Sequence, residues 1–186
     1  METLKLDLGC GMNKMAGFTG VDIAPCEGVD IVHNLMSFHW PFADNSVDEI
    51  FCSHYIEHIP HNCACCADKT DPFILFFNEV HRILKPKATG KFIAPYYSSV
   101  RCWQDPTHTR AINDGTVLYL NKAWRDANRL RHYGLTCDFD WVTGYDMEPD
   151  WSMRSEESRQ FAFRHYGNTI RDIHIILTKR EPQPNV

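Results

Sequence analysis

The chain has no apolar run approaching the ~20 residues that a membrane helix needs, so no membrane span is expected. Nor does it carry a basic excess. Lys and Arg number 19 against 24 Asp and Glu, a net charge of −5 with the ten His neutral. Proteins that coat nucleic acid present a basic face, which disfavours that class while leaving room for a local basic cleft. Gly and Pro number only ten each among 186 residues, which excludes collagen-like and low-complexity character. The opening Met1-Glu2-Thr3-Leu4-Lys5-Leu6 lacks the basic-then-apolar order of a secretory leader. The eight Cys therefore read as thiols in a reducing compartment, and the expected setting is cytoplasmic. The chain is 44% hydrophobic and 23% charged, which suits one domain with its own core.

Leu4-Lys5-Leu6-Asp7-Leu8 alternates with period two and runs into Gly9-Cys10-Gly11, a strand entering a tight loop. Gly20-Val21-Asp22-Ile23, Val29-Asp30-Ile31-Val32 and Asp48-Glu49-Ile50-Phe51-Cys52 read as three further strands. A helix follows, with Asp71 as its cap and Pro72 in its first turn. Phe73, Phe76, Phe77, Val80 and Leu84 form its apolar stripe, Asn78, Glu79 and Arg82 face away, and Lys85-Pro86 ends it. Lys91-Phe92-Ile93-Ala94 is a fifth strand, and residues 137–142 and 173–179 are two late ones. A second helix is expected over residues 121–132, closed by Gly134. Residues 145–167, aromatic and charged, read as a substrate-side insertion, and residues 181–186 as a frayed tail.

Strands alternating with helices imply an α/β domain. Parallel neighbours normally need a crossover of a dozen or more residues. Residues 12–19 and 24–28 are too short for one, so the early helices are shortened or missing and one sheet face is thinly covered.

The chemistry centres on Asp7-Leu8-Gly9-Cys10-Gly11. Glycines let a backbone approach a ligand closely and expose its N–H groups. Asp22, at the end of the second strand, is placed to accept from both hydroxyls of a ribose. Together they outline a nucleoside site at the carboxyl edge of a parallel sheet. The dinucleotide fingerprint G-x-G-x-x-G fails here, because Lys14 holds its last position.

These residues do not stand alone. The order Leu6-Asp7-Leu8-Gly9-Cys10-Gly11, Gly20-Val21-Asp22-Ile23, the run from Trp40-Pro41-Phe42 to Asp48-Glu49-Ile50, His54-Tyr55-Ile56-Glu57-His58 and Glu79-Val80-His81-Arg82-Ile83-Leu84-Lys85-Pro86 resembles the class I S-adenosylmethionine-dependent methyltransferases. The likeness is to small members of the type 11 group, and it spans residues 4–95. It implies a Rossmann-like, mostly parallel sheet of about seven strands. One domain then fills residues 1–186: a cofactor-binding half over 1–95, substrate-side insertions and lid over 96–170, and a last strand over 171–180.

By that resemblance Asp7, Gly9, Cys10 and Gly11 hold the methionine end of S-adenosylmethionine. Asp22 holds the ribose, Ile23 lies against the adenine, Asn34 and Leu35 edge it, and Ser53 lies near the methyl. Asn34 stands where the family often has Asp, and Asn13 where it has a third glycine. Candidates for base, substrate ligand or site wall are His108, His54 and Tyr96. Asp105 and His108 belong to a turn-like segment able to fold back over the site.

The implied activity is methyl transfer to O or N of a small-molecule acceptor, with a nucleic-acid acceptor second. A cofactor-binding subunit without activity, pairing with itself or a larger partner through the thin sheet face, is the alternative. Two metal readings are weighed and neither is adopted. His54-Tyr55-Ile56-Glu57-His58 matches the H-x-x-E-H zinc motif, which needs a helix to bring both His to one face. Cys63, Cys65 and Cys66, with His58 or His61, have short metal-ligand spacing but no second C-x₂-C pair.

Overall fold

The computed structural model describes residues 3–62 and 70–181. Cys63, Cys65 and Cys66 and the tail beyond 181 lie outside the described residues. Seven strands form one sheet: β1 (Lys5–Leu8), β2 (Thr19–Asp22), β3 (Ile31–Val32), β4 (Val47–Ser53), β5 (Leu84–Pro95), β6 (Phe139–Met147) and β7 (Ile170–Lys179). Their order is β3-β2-β1-β4-β5-β7-β6. The first five run parallel, and β7 is antiparallel to both β5 and β6. The expected α/β sheet is therefore present.

The connections 9–18 and 23–30 contain no helix. The missing early helices were legible from spacing alone. The longest helix, α1 (Pro72–Ile83), begins as expected: Asp71 accepts the Phe73 amide at 2.8 Å and Pro72 fills the first turn. Its apolar face meets the sheet face carrying Leu6, Leu8, Ile50, Cys52 and Phe92. Phe76 lies 5.2 Å from Trp40, 5.3 Å from Phe77 and 5.7 Å from Tyr55, ring centre to ring centre. Its own exposure is nil.

The expectation that Glu79 faces solvent is overturned. Glu79 is buried, and its carboxylate accepts from the Trp40 amide and from the Arg82 guanidinium. A polar residue at an outward helical position was captured by the loop before β4. Asn78 is likewise engaged, its Oδ1 accepting the amides of Thr136 and Cys137.

The other sheet face is thinly covered, as expected. Register puts Lys5, Asp7, Glu49, Phe51, Lys91, Ile176 and Val142 on it. Phe18 from the first loop lies edge-on to Phe51, and Lys5 sits over Phe18. Toward the β6 edge Val142 is 67% and Ile176 41% exposed.

Two further expectations are corrected. β5 starts at Leu84, well before Lys91, because Pro86 is tolerated at the irregular opening where Val47 pairs Leu84 and the register then shifts. Residues 121–132 do not form one helix. α4 spans Lys122–Ala127, Arg129 adopts a left-handed conformation, and a 3₁₀ turn, Arg131–Tyr133, ends at left-handed Gly134. The four remaining α-helices among the described residues are α2 (Arg101–Gln104), α3 (Asp114–Leu118) and, past β6, a pair: α5 (Pro149–Ser152) and α6 (Glu156–His165). The expected insertion 145–167 is thus the end of β6 followed by α5 and α6.

Candidate functional site

In an open α/β sheet, ligands bind beyond the carboxyl ends of the strands where the strand order reverses. Here that point lies between β1 and β4. The loop after β1 and the turn after β4 face each other across it.

After β1 the chain folds tightly. Gly9 and Gly11 have left-handed φ values of +70° and +49°. Gly9 is required by packing, since a Cβ there would stand 2.4 Å from the Tyr55 ring. Gly11 has open space where a Cβ would be. Asp7 is buried, and its Oδ2 accepts the Met15 amide at 2.7 Å, which draws the loop back over the strand. Burial pushes the Asp7 carboxyl up, and the Met15 amide opposes this. The Cys10 side chain turns inward, 3.8 Å from the Gly28 carbonyl, and burial beside Asp7 pushes its thiol up to about 11.

Asp22 closes β2. Its Oδ2 accepts the Gly11 amide at 2.9 Å, and its Oδ1 approaches the Ala24 amide at 3.4 Å. Each carboxylate oxygen retains a lone pair, so two hydroxyls can still be accepted. Beside it Ile23 is 63% exposed. Asn34 uses its Oδ1 within its own turn, on the Met36 amide. The Leu35 side chain is buried in the core, so only its backbone is near this edge. An open glycine position, a carboxylate with free lone pairs and an exposed apolar neighbour fit the adenosine and methionine parts of S-adenosylmethionine.

Ser53 ends β4, pairing with Ile93. His54 follows with a left-handed φ of +53°. A 3₁₀ turn, Ile56–His58, comes next. The H-x-x-E-H motif is therefore a strand end and a turn, and lacks the helix that the zinc-protease arrangement requires. Glu57 is fully buried. Its Oε1 lies 3.2 Å from His54 Nδ1, and this contact raises the imidazole's affinity for a proton.

The segment 105–110 does fold back over this turn. The amides of Thr109 and Arg110 both donate to the Glu57 carbonyl, at 2.9 and 3.1 Å. Arg110 reaches the Ile59 and Pro60 carbonyls and Asp71. His108 is thereby brought beside Glu57, its Nε2 4.0 Å from Oε1. Its side chain is only 9% exposed, while that of His54 is 49% exposed. The His58 and His108 rings stand edge to face at 4.6 Å.

Tyr96, at the end of β5, donates its hydroxyl to Asp114 Oδ2 at 3.1 Å. Tyr145 of β6 hydrogen-bonds the other oxygen of Asp114. Burial and Asp114 raise the Tyr96 phenol, so it keeps its proton. Tyr145, with Trp141 and Trp151, reads from sequence as lining for a substrate pocket. Asp114 and Asp172 were not singled out, since Asp172 reaches this edge only by pairing with Pro95 and Asp146, and Asp114 only through Tyr96 and Tyr145.

No protein-family model matches the chain, and no curated protein matches its sequence. Solved structures do match. An S-adenosylmethionine-dependent methyltransferase of Archaeoglobus fulgidus matches with a TM-score of 0.64 at 19% identity, over 95% of this chain and 86% of that one. The YcgJ protein of Bacillus subtilis gives 0.54 at 16% identity, over 97% and 93%. An S-adenosylmethionine-dependent methyltransferase of Mesorhizobium loti gives 0.53 at 14% identity, over 95% and 90%. At such identities the likeness is one of fold. The chain has the Rossmann-like fold of class I S-adenosylmethionine-dependent methyltransferases.

Proposed function

We propose that this chain is an S-adenosylmethionine-dependent methyltransferase acting on O or N of a small-molecule acceptor. The observation that carries the reading is the facing, across the switch point of the sheet, of the Gly11–Asp22 loop and the His54–Glu57 pair. The first has the makings of a nucleoside site, and the second of a proton acceptor.

The cofactor would supply a methyl group already activated on sulfonium. The chain's own work is then positioning and proton handling. Asp22 takes the ribose hydroxyls, Ile23 and the backbone at Asn34 and Leu35 flank the adenine, and the Gly9–Gly11 backbone with Asp7 behind it receives the methionine end. Orientation of this kind is worth up to ~7–11 kcal/mol in well-aligned intramolecular cases. His54 presents its exposed ring beside Ser53, with Nδ1–H held by Glu57 and Nε2 left to take the acceptor's proton. Such a base contributes about 10²–10⁴-fold. His108 lies behind Glu57, its Nε2 4.0 Å from Oε1. Tyr96, fixed by Asp114, forms a hydrogen-bonding wall.

Asp105, Asp114 and Asp146 lie along the same edge. Arg171 and His174 pair with Asp146 there, and Arg101 with Glu148, so the charge of this edge is mixed. The uncovered Val142 and Ile176 favour a second copy of the chain as partner on the thin sheet face. Light scattering tests this: a dimer that Val142→Lys dissociates supports it, and a monomer at high concentration removes it.

Calorimetric titration with S-adenosylhomocysteine tests the main reading. Wild type and His54→Ala should bind it alike, with His54→Ala losing turnover on any hydroxyl or protonated amine found to be methylated. A wild-type chain that binds neither S-adenosylmethionine nor S-adenosylhomocysteine would end the reading.

A further inference from the structure

A cluster beside the proposed base has no role in binding the cofactor. One potential ligand atom from each of Glu57, His58 and His108 lies within 4.8 Å of the other two. Glu57 is fully buried, and its Oε2 has no hydrogen-bond partner among the described residues. A buried carboxylate oxygen without a partner is costly. The carboxylate that carries it stands beside the His54, His58 and His108 imidazoles.

The hydrogen bonds around the two His set their tautomers. His108 Nδ1 lies 3.1 Å from the Cys102 carbonyl, which can only accept. Nδ1 therefore carries the proton, and the Nε2 lone pair is free toward Glu57. His58 Nδ1 lies 2.9 Å from Thr107 Oγ1. The Thr107 hydroxyl donates to Asp105 Oδ1 at 2.7 Å, a charge-assisted bond, so its oxygen accepts from His58 Nδ1–H. His58 Nε2 is then free as well. Imidazoles that bind a metal commonly donate their other N–H to a carbonyl or, directly or by relay, to a carboxylate. Both His here are held in that way.

The geometry points to a binding site for one divalent ion of the zinc class, with Glu57, His58 and His108 as its ligands. Two neutral imidazoles and one carboxylate leave a single negative charge, and a fourth position open for water or an acceptor oxygen. Ligand bonds of about 2.1 Å in a tetrahedron put donor atoms about 3.4 Å apart. The 4.0 Å between His108 Nε2 and Glu57 Oε1 is close to that, so binding draws the cluster in by fractions of an ångström per atom. The ion ties the Glu57–His58 turn to the segment that folds over it. The site does not depend on the methyltransferase reading, and the metal alone tests it.

The chain is stripped with a chelator and titrated with Zn²⁺ and then Co²⁺. Cys63, Cys65 and Cys66 are a rival source of ligands, so the triple variant Cys63→Ser/Cys65→Ser/Cys66→Ser is titrated in parallel. One equivalent is expected in both proteins, with a melting temperature raised by several degrees. X-ray absorption should show only N and O neighbours near about 2.0–2.1 Å. His108→Ala and Glu57→Gln, checked for folding by circular dichroism, should each bind at least tenfold more weakly, while His61→Ala binds normally. Three results overturn the site: no binding by wild type, sulfur neighbours near about 2.3 Å that vanish in the Cys variant, or unchanged affinity in both His108→Ala and Glu57→Gln. S-adenosylhomocysteine titration with chelator present scores the cofactor site separately.

Discussion

Asp7, Asp22 and Asp30 hold the first part of the sheet together, each by accepting a backbone amide: those of Met15, Gly11 and Gly20 respectively. The strands there have four, four and two residues. Across the switch point, β4, β5, β6 and β7 have seven, twelve, nine and ten residues, and α1 packs a cluster of aromatic rings against them. Carboxylates do in the first region what helices and rings do in the second. The difference suits the work of each. A loop tied by Asp side chains leaves the strand ends open to a ligand. The packed half holds His54, Glu57 and Tyr96 in place beside it.

If packing carries the second region, a fully buried ring there should be among its most costly residues to lose. Phe76→Ala should lower stability by about 3–5 kcal/mol, as for buried Phe truncations generally. Phe18→Ala, a half-covered ring in the first region, should cost about 1 kcal/mol, because its contribution is part of the ~1.5–3 of full burial. Urea unfolding measures both, and equal losses would break the contrast.

The second region also holds a group that acid should expose. His81, on α1, stands edge-on to Phe139, its Nε2 buried with no partner among the described residues. Burial, with Lys179 nearby, pushes its imidazole down to about 4. The unfolded chain therefore takes up this proton first. The contribution is full above the ordinary value of 6.5 and is lost as pH falls toward 4. At 1.36 kcal/mol for each pH unit, reduced for partial exposure, the loss is roughly 2 kcal/mol. His81→Leu should flatten this part of the stability profile, followed by urea unfolding from pH 7 to 4.5. A slope unchanged in the variant would place the acid sensitivity among the aspartates of the first region instead.

In that region the expected effect is on ligand affinity. Asp22→Ala removes a carboxylate that accepts the Gly11 amide and is proposed to hold the ribose. Hydrogen bonds to charged groups are worth about 1.5–3 kcal/mol. S-adenosylhomocysteine should bind roughly 10–100-fold more weakly by calorimetry. Unchanged affinity would remove Asp22 from the cofactor site.

What the sequence revealed follows the same division. Asp7, Gly9, Gly11 and Asp22 could be read because a strand, a glycine turn and an acid at the next strand end form a local pattern. The cap at Asp71 and the stripe from Phe73 to Leu84 are local in the same sense. Residues 121–132 misled because Arg129 takes a left-handed backbone that composition does not announce. Glu79 misled because helical periodicity says where a side chain points and nothing about a loop arriving to meet it. The cluster of Glu57, His58 and His108 was least legible. Glu57 and His58 are neighbours, but His108 lies some fifty positions on, and it meets them through backbone bonds from Thr109 and Arg110 to the Glu57 carbonyl. The sequence suggested that 105–108 folds back, but it could not say onto which group.

The smallest effect is expected at the surface of the first region. Lys5 lies 2.6 Å from Glu49, with side-chain exposures of 38% and 40%, and 5.5 Å from the centre of the Phe18 ring. This resembles a lock on the thin sheet face. Yet an exposed ion pair is worth about 0–1 kcal/mol, because solvent screens it and two long side chains must be ordered to form it. Over a half-covered ring the cation adds about 0.5–1 kcal/mol at most. Lys5→Met keeps the apolar stem that shields Phe18 and removes only the charge. It should change stability by less than about 0.5 kcal/mol, independent of salt, in urea unfolding. A larger, salt-sensitive loss would mean that the thin face relies on its charges. The neighbouring variant Phe18→Ala would then have to be reread as loss of a seat for Lys5, because the ring and the cation cover the same patch.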